Sequence, residues 1–93
     1  MRKYEVVCVF RPEDDIFAKG KTFVLEEFTK AGATLVKEED MGSRDLAYPI
    51  KKQTRGHYYL FELSVDPLKI ADMDRVFRLN QELIKYLFIK LDE

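Results

Sequence analysis

The sequence predicts an α+β fold in which a four-stranded antiparallel sheet carries two helices on one face. Three observations predict it. Apolar residues alternate with a period of two over residues 3–10 and 57–65. They recur at helical spacing over residues 17–31 and 70–77. The segments follow one another as strand, helix, strand, strand, helix, strand, written βαββαβ. The 93 residues suffice for one small domain over 1–93 but hardly for two.

The first strand places Tyr4, Val6, Cys8 and Phe10 on one face and Lys3, Glu5, Val7 and Val9 on the other. Pro12 and the acidic Glu13-Asp14-Asp15 then open a helix whose apolar positions are Phe17, Phe23, Val24, Phe28 and Ala31, with Gly32 as its stop. Gly20 lies inside that helix at a cost of about 1 kcal/mol relative to alanine, which close packing would offset. An extended pattern restarts at Thr34–Val36, is interrupted over Glu38–Gly42 and resumes over Asp45–Lys52, as in one long bent strand or a bulged one. Pro49 cannot donate a ladder hydrogen bond, so this strand belongs at a sheet edge or bulges there.

Gln53-Thr54-Arg55-Gly56 is the expected turn into the strand His57–Val65, which pairs with the preceding strand as a hairpin. Asp66-Pro67 caps and starts a second helix with Ile70, Met73, Val76 and Phe77 inward and Asp72, Asp74, Arg75 and Arg78 outward. Asn80-Gln81 ends it, and Ile84, Tyr86, Leu87, Phe88 and Ile89 form the last strand. This is the split βαβ, or ferredoxin-like, arrangement, which leaves one sheet face open to solvent or a partner. Val7 and Val9 are expected on that open face, either as a protein interface or as ordinary scattered apolar exposure.

Several functions are poorly supported. Hydrophobic residues at 46% argue against disorder, and a net charge of −1 does not announce a nucleic-acid protein. The first apolar run ends at Arg11-Pro12, too short for a secretion signal or a membrane span, so no membrane association is expected. Cys8 is the only cysteine and His57 the only histidine, which leaves too few ligands for a transition metal. Glu38-Glu39-Asp40 lacks the spacing of a calcium loop, and the glycines at 20, 32, 42 and 56 are too scattered to cradle a phosphate. A Cys8–His57 nucleophilic pair has no orienting group. No catalytic residue, cofactor, metal or small-molecule substrate is expected.

Charge distribution is more informative than its sum. Between residues 44 and 57, Arg44, Lys51, Lys52 and Arg55 face Asp45 alone, a basic hairpin on a near-neutral body. Beside His57, Tyr58 and Tyr59 it is suited to gripping phosphates and stacking a base. Charges of this kind also keep a bare edge strand from aggregating, and charge alone leaves the two readings level.

The run Gly42–Lys51, with Leu46-Ala47-Tyr48-Pro49-Ile50 at its centre, closely resembles the signature of the bacterial small-subunit ribosomal protein number six family. The opening Met1-Arg2-Lys3-Tyr4-Glu5-Val6 is similar to that family's first strand, and Gly56-His57-Tyr58 to the start of its third. The resemblance implies a cytoplasmic, ribosome-bound protein that binds the central domain of small-subunit rRNA together with the small basic ribosomal protein number eighteen. It carries rRNA contact to Arg2, Arg44, Lys51, Lys52, Arg55, His57 and Tyr58. The open face, with Val7, Val9, Tyr58 and Leu60, is the expected partner surface, while Leu46, Tyr48 and Ile50 are expected to be structural. Two features depart from the family: Asp45 stands where many relatives carry a second base, and Leu91-Asp92-Glu93 closes the sequence without the longer acidic tail of some members.

Two other classes share the element order. Arg55–Glu62 faintly echoes the third-strand motif of an RNA-recognition-motif domain, yet His57 and Glu62 occupy positions where stacking needs aromatic rings. A small-molecule-binding regulatory domain or an acyl-phosphate hydrolase would need a pocket signature, and the loop at Arg11-Pro12-Glu13-Asp14 is largely acidic.

Overall fold

A computed structural model describes residues 1–91. Its elements run β1 (Arg2–Phe10), α1 (Asp14–Lys30), β2 (Thr34–Ile50), β3 (Gln53–Val65), a 3-10 turn (Pro67–Lys69), α2 (Ile70–Leu79) and β4 (Leu83–Lys90). The strands form one antiparallel sheet in the order β2-β3-β1-β4, so the strand carrying Pro49 does lie at an edge. Asp92 and Glu93, on which the expectation of a short tail rests, lie outside the described residues.

Period-two alternation decides which residues meet the helices. Tyr4, Val6, Cys8 and Phe10 of β1 are buried with Tyr59, Phe61, Leu63 and Val65 of β3, against Val24 and Phe28 of α1 and Met73 and Phe77 of α2. Aromatic rings supply much of this interior: Phe28 meets Phe61 edge-on at 5.2 Å, and Phe77 lies 5.5 Å from Tyr86 and 5.6 Å from Phe88. The helix ends follow their sequence signals. Gly32 takes the left-handed conformation at φ 72° just past α1, and the Asp66 carboxylate accepts the Leu68 N–H at 3.0 Å at the head of the second helical segment. Asn80 closes α2 and turns the chain by accepting the backbone N–H groups of Glu82 and Leu83 at 2.9 and 3.1 Å.

Gly20 has the close packing expected of it. A Cβ there would stand 2.7 Å from Cδ1 of Phe10 and 3.0 Å from Cβ of Glu82. Gly20→Ala gains about 1 kcal/mol of helix propensity but overpacks a fully buried ring at about 1–3 kcal/mol. The expected result is a net loss of about 1 kcal/mol in chemical denaturation; a more stable variant would show that Phe10 yields freely.

The β2–β3 hairpin departs from the expected layout. Its reversal is at Lys51-Lys52, between the paired Ile50 and Gln53, and both lysines have positive φ, at 50° and 65°. A two-residue hairpin turn of matching twist requires that backbone. Gln53-Thr54-Arg55-Gly56, the expected turn, is therefore the first part of β3. β2 is continuous but irregular, with register shifts between Leu35 and Lys37, Asp40 and Gly42, and Asp45 and Ile50. β1 ends its pairing at Phe10 opposite His57, so the hairpin beyond that point overhangs the sheet as an arm. The arm folds back onto the body: Lys51 Nζ donates to the Leu83 carbonyl at 3.1 Å.

Candidate nucleic-acid interface

The arm gathers most of the basic residues singled out in the sequence. Arg44, Lys51 and Lys52 are exposed. Arg44 Nε donates to the Met41 carbonyl at 3.3 Å, and its guanidinium stands 5.8 Å above the Tyr58 ring, a cation–π arrangement that orients it. Arg55 is tied to Asp45, Nη1 to Oδ1, at 2.7 Å. The residue that departs from the family pattern thus neutralises a cation of its own hairpin, through an exposed pair of small energetic weight. Arg2 is not part of this group. It opens β1 opposite Val65, eight strand positions from Phe10, about 26 Å away at about 3.3 Å per residue.

His57 leaves the surface set. Alternation along β3 puts it on the helix-covered side with Tyr59 and Phe61, where it stacks on Phe17 at 3.7 Å with the rings 6° apart. Its Nε2 lies 2.6 Å from Asp40 Oδ1. That hydrogen bond, helped by the Gly42 N–H, holds the Asp40 carboxyl below its usual range and so keeps it ionised. Tyr59 donates to Glu38 at 2.5 Å and lies under Lys21, 4.6 Å from the ring centroid. Cys8 is fully buried, and burial pushes its thiol far up, away from thiolate chemistry. Among the described residues no His, Cys, Asp or Glu grouping could hold a metal ion, and no helix is long and apolar enough to cross a membrane.

Tyr48 was expected to be structural, filling the core or the sheet edge, but is 62% exposed. It lies in the irregular stretch between Asp45 and Ile50, where β2 drops out of register and alternation no longer assigns a face. The sequence signal for this exposure was Pro49, which breaks the ladder.

The open sheet face has a different chemistry. Val7 sits directly between Leu60 of β3 and Leu87 of β4, and Ile89 is the next outward residue along β4. Leu87 and Ile89 are 50% and 42% exposed. Acids border this apolar strip: Glu5 pairs across strands with Glu62, and Glu39 with Leu60, while Lys37 reaches Glu39 at 4.0 Å and Lys3 and Lys85 stand at the margin. Val9, expected in the same strip, is only 3% exposed. Gly56 packs directly against it, where an added Cβ would fall 2.3 Å from Val9 Cγ1 and 3.5 Å from Leu46 Cδ2, so the glycine lets the arm approach Val9 closely.

The profile of the family described as Ribosomal protein S6 matches residues 3–90. The chain belongs to the ribosomal protein S6 family. The S6-family assignment holds over the full length: the small ribosomal subunit protein bS6 of Treponema pallidum is 39% identical over 92 residues, covering 99% of both chains. That of Treponema denticola is 39% identical over 93 residues and 100% of each. In three dimensions the crystal structure of 30S ribosomal protein S6 from Thermotoga maritima superposes with a TM-score of 0.88 over 97% of this chain and 87% of that one, at 22% identity, a likeness of fold. S6-family proteins are structural rather than enzymatic.

Proposed function

We propose that the chain, a structural and non-catalytic component of the cytoplasmic small ribosomal subunit, binds the central domain of small-subunit rRNA together with the small basic ribosomal protein number eighteen. The observation that carries this reading is segregation: exposed cations and a ring lie on the overhanging arm, while an acid-bordered apolar strip lies on the sheet. Arg44, Lys51 and Lys52, with Arg55, Tyr48 and Tyr58, contact phosphates and stack on RNA. Arg2 makes a separate contact at the far end of β1. Val7, Leu60 and Leu87 receive the protein partner, whose positive charge complements Glu5, Glu39 and Glu62.

A chain of net charge −1 that makes few phosphate contacts releases few counterions, so alone it binds rRNA weakly. The partner supplies the missing charge, and the composite surface recognises a folded junction by shape and backbone. An RNA-recognition-motif mode is disfavoured, because the open face presents Val7, Leu60 and Leu87 where bases would need rings.

The test is a titration of a central-domain rRNA fragment with this protein, with the partner, and with both. The pair is expected to bind roughly tenfold to a hundredfold more tightly than independent binding predicts, a usual range for coupling between sites. Equal affinity for the lone protein and the pair removes the cooperative mechanism.

A further inference from the structure

A pocket lies where the arm returns to the body, between the end of β1, the end of α2 and the start of β4. Its volume is about 450 Å³, and Arg11, Lys51, Gln53, Arg78, Asn80 and Ile84 are among its walls. Three cations and the side-chain amides of Gln53, Asn80 and Gln81 line it, with no carboxylate among the lining residues. Arg11 is held partly by Glu13 at 3.3 Å, but its Nε is buried with no hydrogen-bond partner among the described residues. Arg78 is paired with Asp74, which stands outside the pocket. Lys51 uses one donor on the Leu83 carbonyl and has two left.

The walls are fixed before any ligand arrives. The Arg11 N–H donates to the Glu82 carbonyl at 2.9 Å, Asn80 holds Glu82 and Leu83, and Lys51 ties the arm to Leu83. Such anchoring lowers the ordering cost of binding. Leu79 and Ile84 contribute the apolar part of its lining. Cations and amide donors beside apolar side chains suit an anion joined to a flat, partly apolar body, and the volume falls in the range of small-ligand sites.

We propose that this pocket holds one nucleotide of an RNA strand, its phosphate against Arg11, Lys51 and Arg78 and its sugar and base along Leu79 and Ile84. The inference rests on the proposed function for the source of the strand, and it adds Arg11 and Arg78, which lie outside the arm, to the RNA surface. It also makes the turn lysine Lys51 a shared element of arm and pocket.

The experiment uses the full chain with its partner, a central-domain rRNA fragment, and three forms: wild type, R11Q/R78Q and, as the arm control, R44Q/K52Q. The R11Q/R78Q form is expected to lose about tenfold in RNA affinity and to lower the slope of log K against log salt by about one, as for the loss of a phosphate contact. Separately, millimolar AMP is expected to shift the side-chain amide signals of Gln53, Asn80 and Gln81 in wild type but not in R11Q/R78Q, and inorganic phosphate to shift them less. If R11Q/R78Q keeps both affinity and slope while R44Q/K52Q loses them, the pocket proposal falls and the RNA function stands. If wild type with its partner fails to bind the fragment, the function falls and the RNA strand with it, whereas absent AMP shifts overturn the pocket itself. AMP shifts with unchanged RNA binding overturn the RNA source.

Discussion

Phe77→Ala is expected to cost about 3–5 kcal/mol, the usual range for removing a buried aromatic ring. Phe77 is fully buried at the centre of a ring cluster, 6.0 Å from Phe23, 6.1 Å from Phe28, 5.5 Å from Tyr86 and 5.6 Å from Phe88. Those rings come from α1 and β4, so one truncation loosens α2 against both. Domains of this size have only about 5–15 kcal/mol in hand, and each kcal/mol moves the melting temperature by about 4–8 °C. A fall of about 12–40 °C follows. Two residues on, Leu79 is 79% exposed, and Leu79→Ala should stay within about 0.5 kcal/mol. Parallel urea titrations of the two variants check the contrast; a Phe77→Ala loss below about 1 kcal/mol would mean the cluster collapses to fill the void.

The double substitution L60K/L87K is expected to abolish docking of the basic partner on the proposed function. Both side chains flank Val7 on the open sheet face, at the centre of the apolar strip. Lysine there places charge where desolvation is unfavourable and sets it against a partner of like sign, a combined effect of about 2–5 kcal/mol. The dissociation constant of the protein pair, measured by calorimetry, should rise by about thirtyfold to several thousandfold, since about 1.4 kcal/mol is a factor of ten. RNA affinity is a poorer readout here, because two added cations strengthen nonspecific binding. An unchanged constant between the two proteins would move the partner to another surface.

Much of the fold was legible because β1 and β3 are central strands that pair with each other without a register shift. In such strands a period of two assigns faces directly, and Tyr4, Val6, Cys8, Phe10, Tyr59 and Phe61 all point where alternation places them. Gly20 was legible in a different way, as an unfavourable helix residue that only a close neighbour explains. The hairpin was harder. Its turn carries two lysines instead of the Asn-Gly or Asp-Gly that mark such reversals, so the reversal was assigned to Gln53–Gly56. Tyr48 lies on a stretch of the edge strand where the ladder lapses, so its apolar neighbours gave no guide to its exposure.

Val9 and His57 are placed as they are for another reason. Alternation gives the face a residue occupies but not what covers that face. Val9 points to the open side and is covered by the distant Gly56 of the arm, and His57 is claimed by Phe17 from α1. Of the site, the arm's cations were readable from their clustering. The pocket was not, because Arg11, Lys51 and Arg78 are far apart in sequence and only the fold brings them together.

The left-handed backbone at Lys51 and Lys52 has one more consequence. A side chain with a Cβ costs about 1–2 kcal/mol in that conformation, so two lysines at φ 50° and 65° make this a turn that a chain optimised only for folding would not contain. Asparagine and glycine would give the same reversal at a lower cost and would also remove both charges from the tip. On the proposed function, thermal resistance and RNA contact therefore make opposite demands on these two positions.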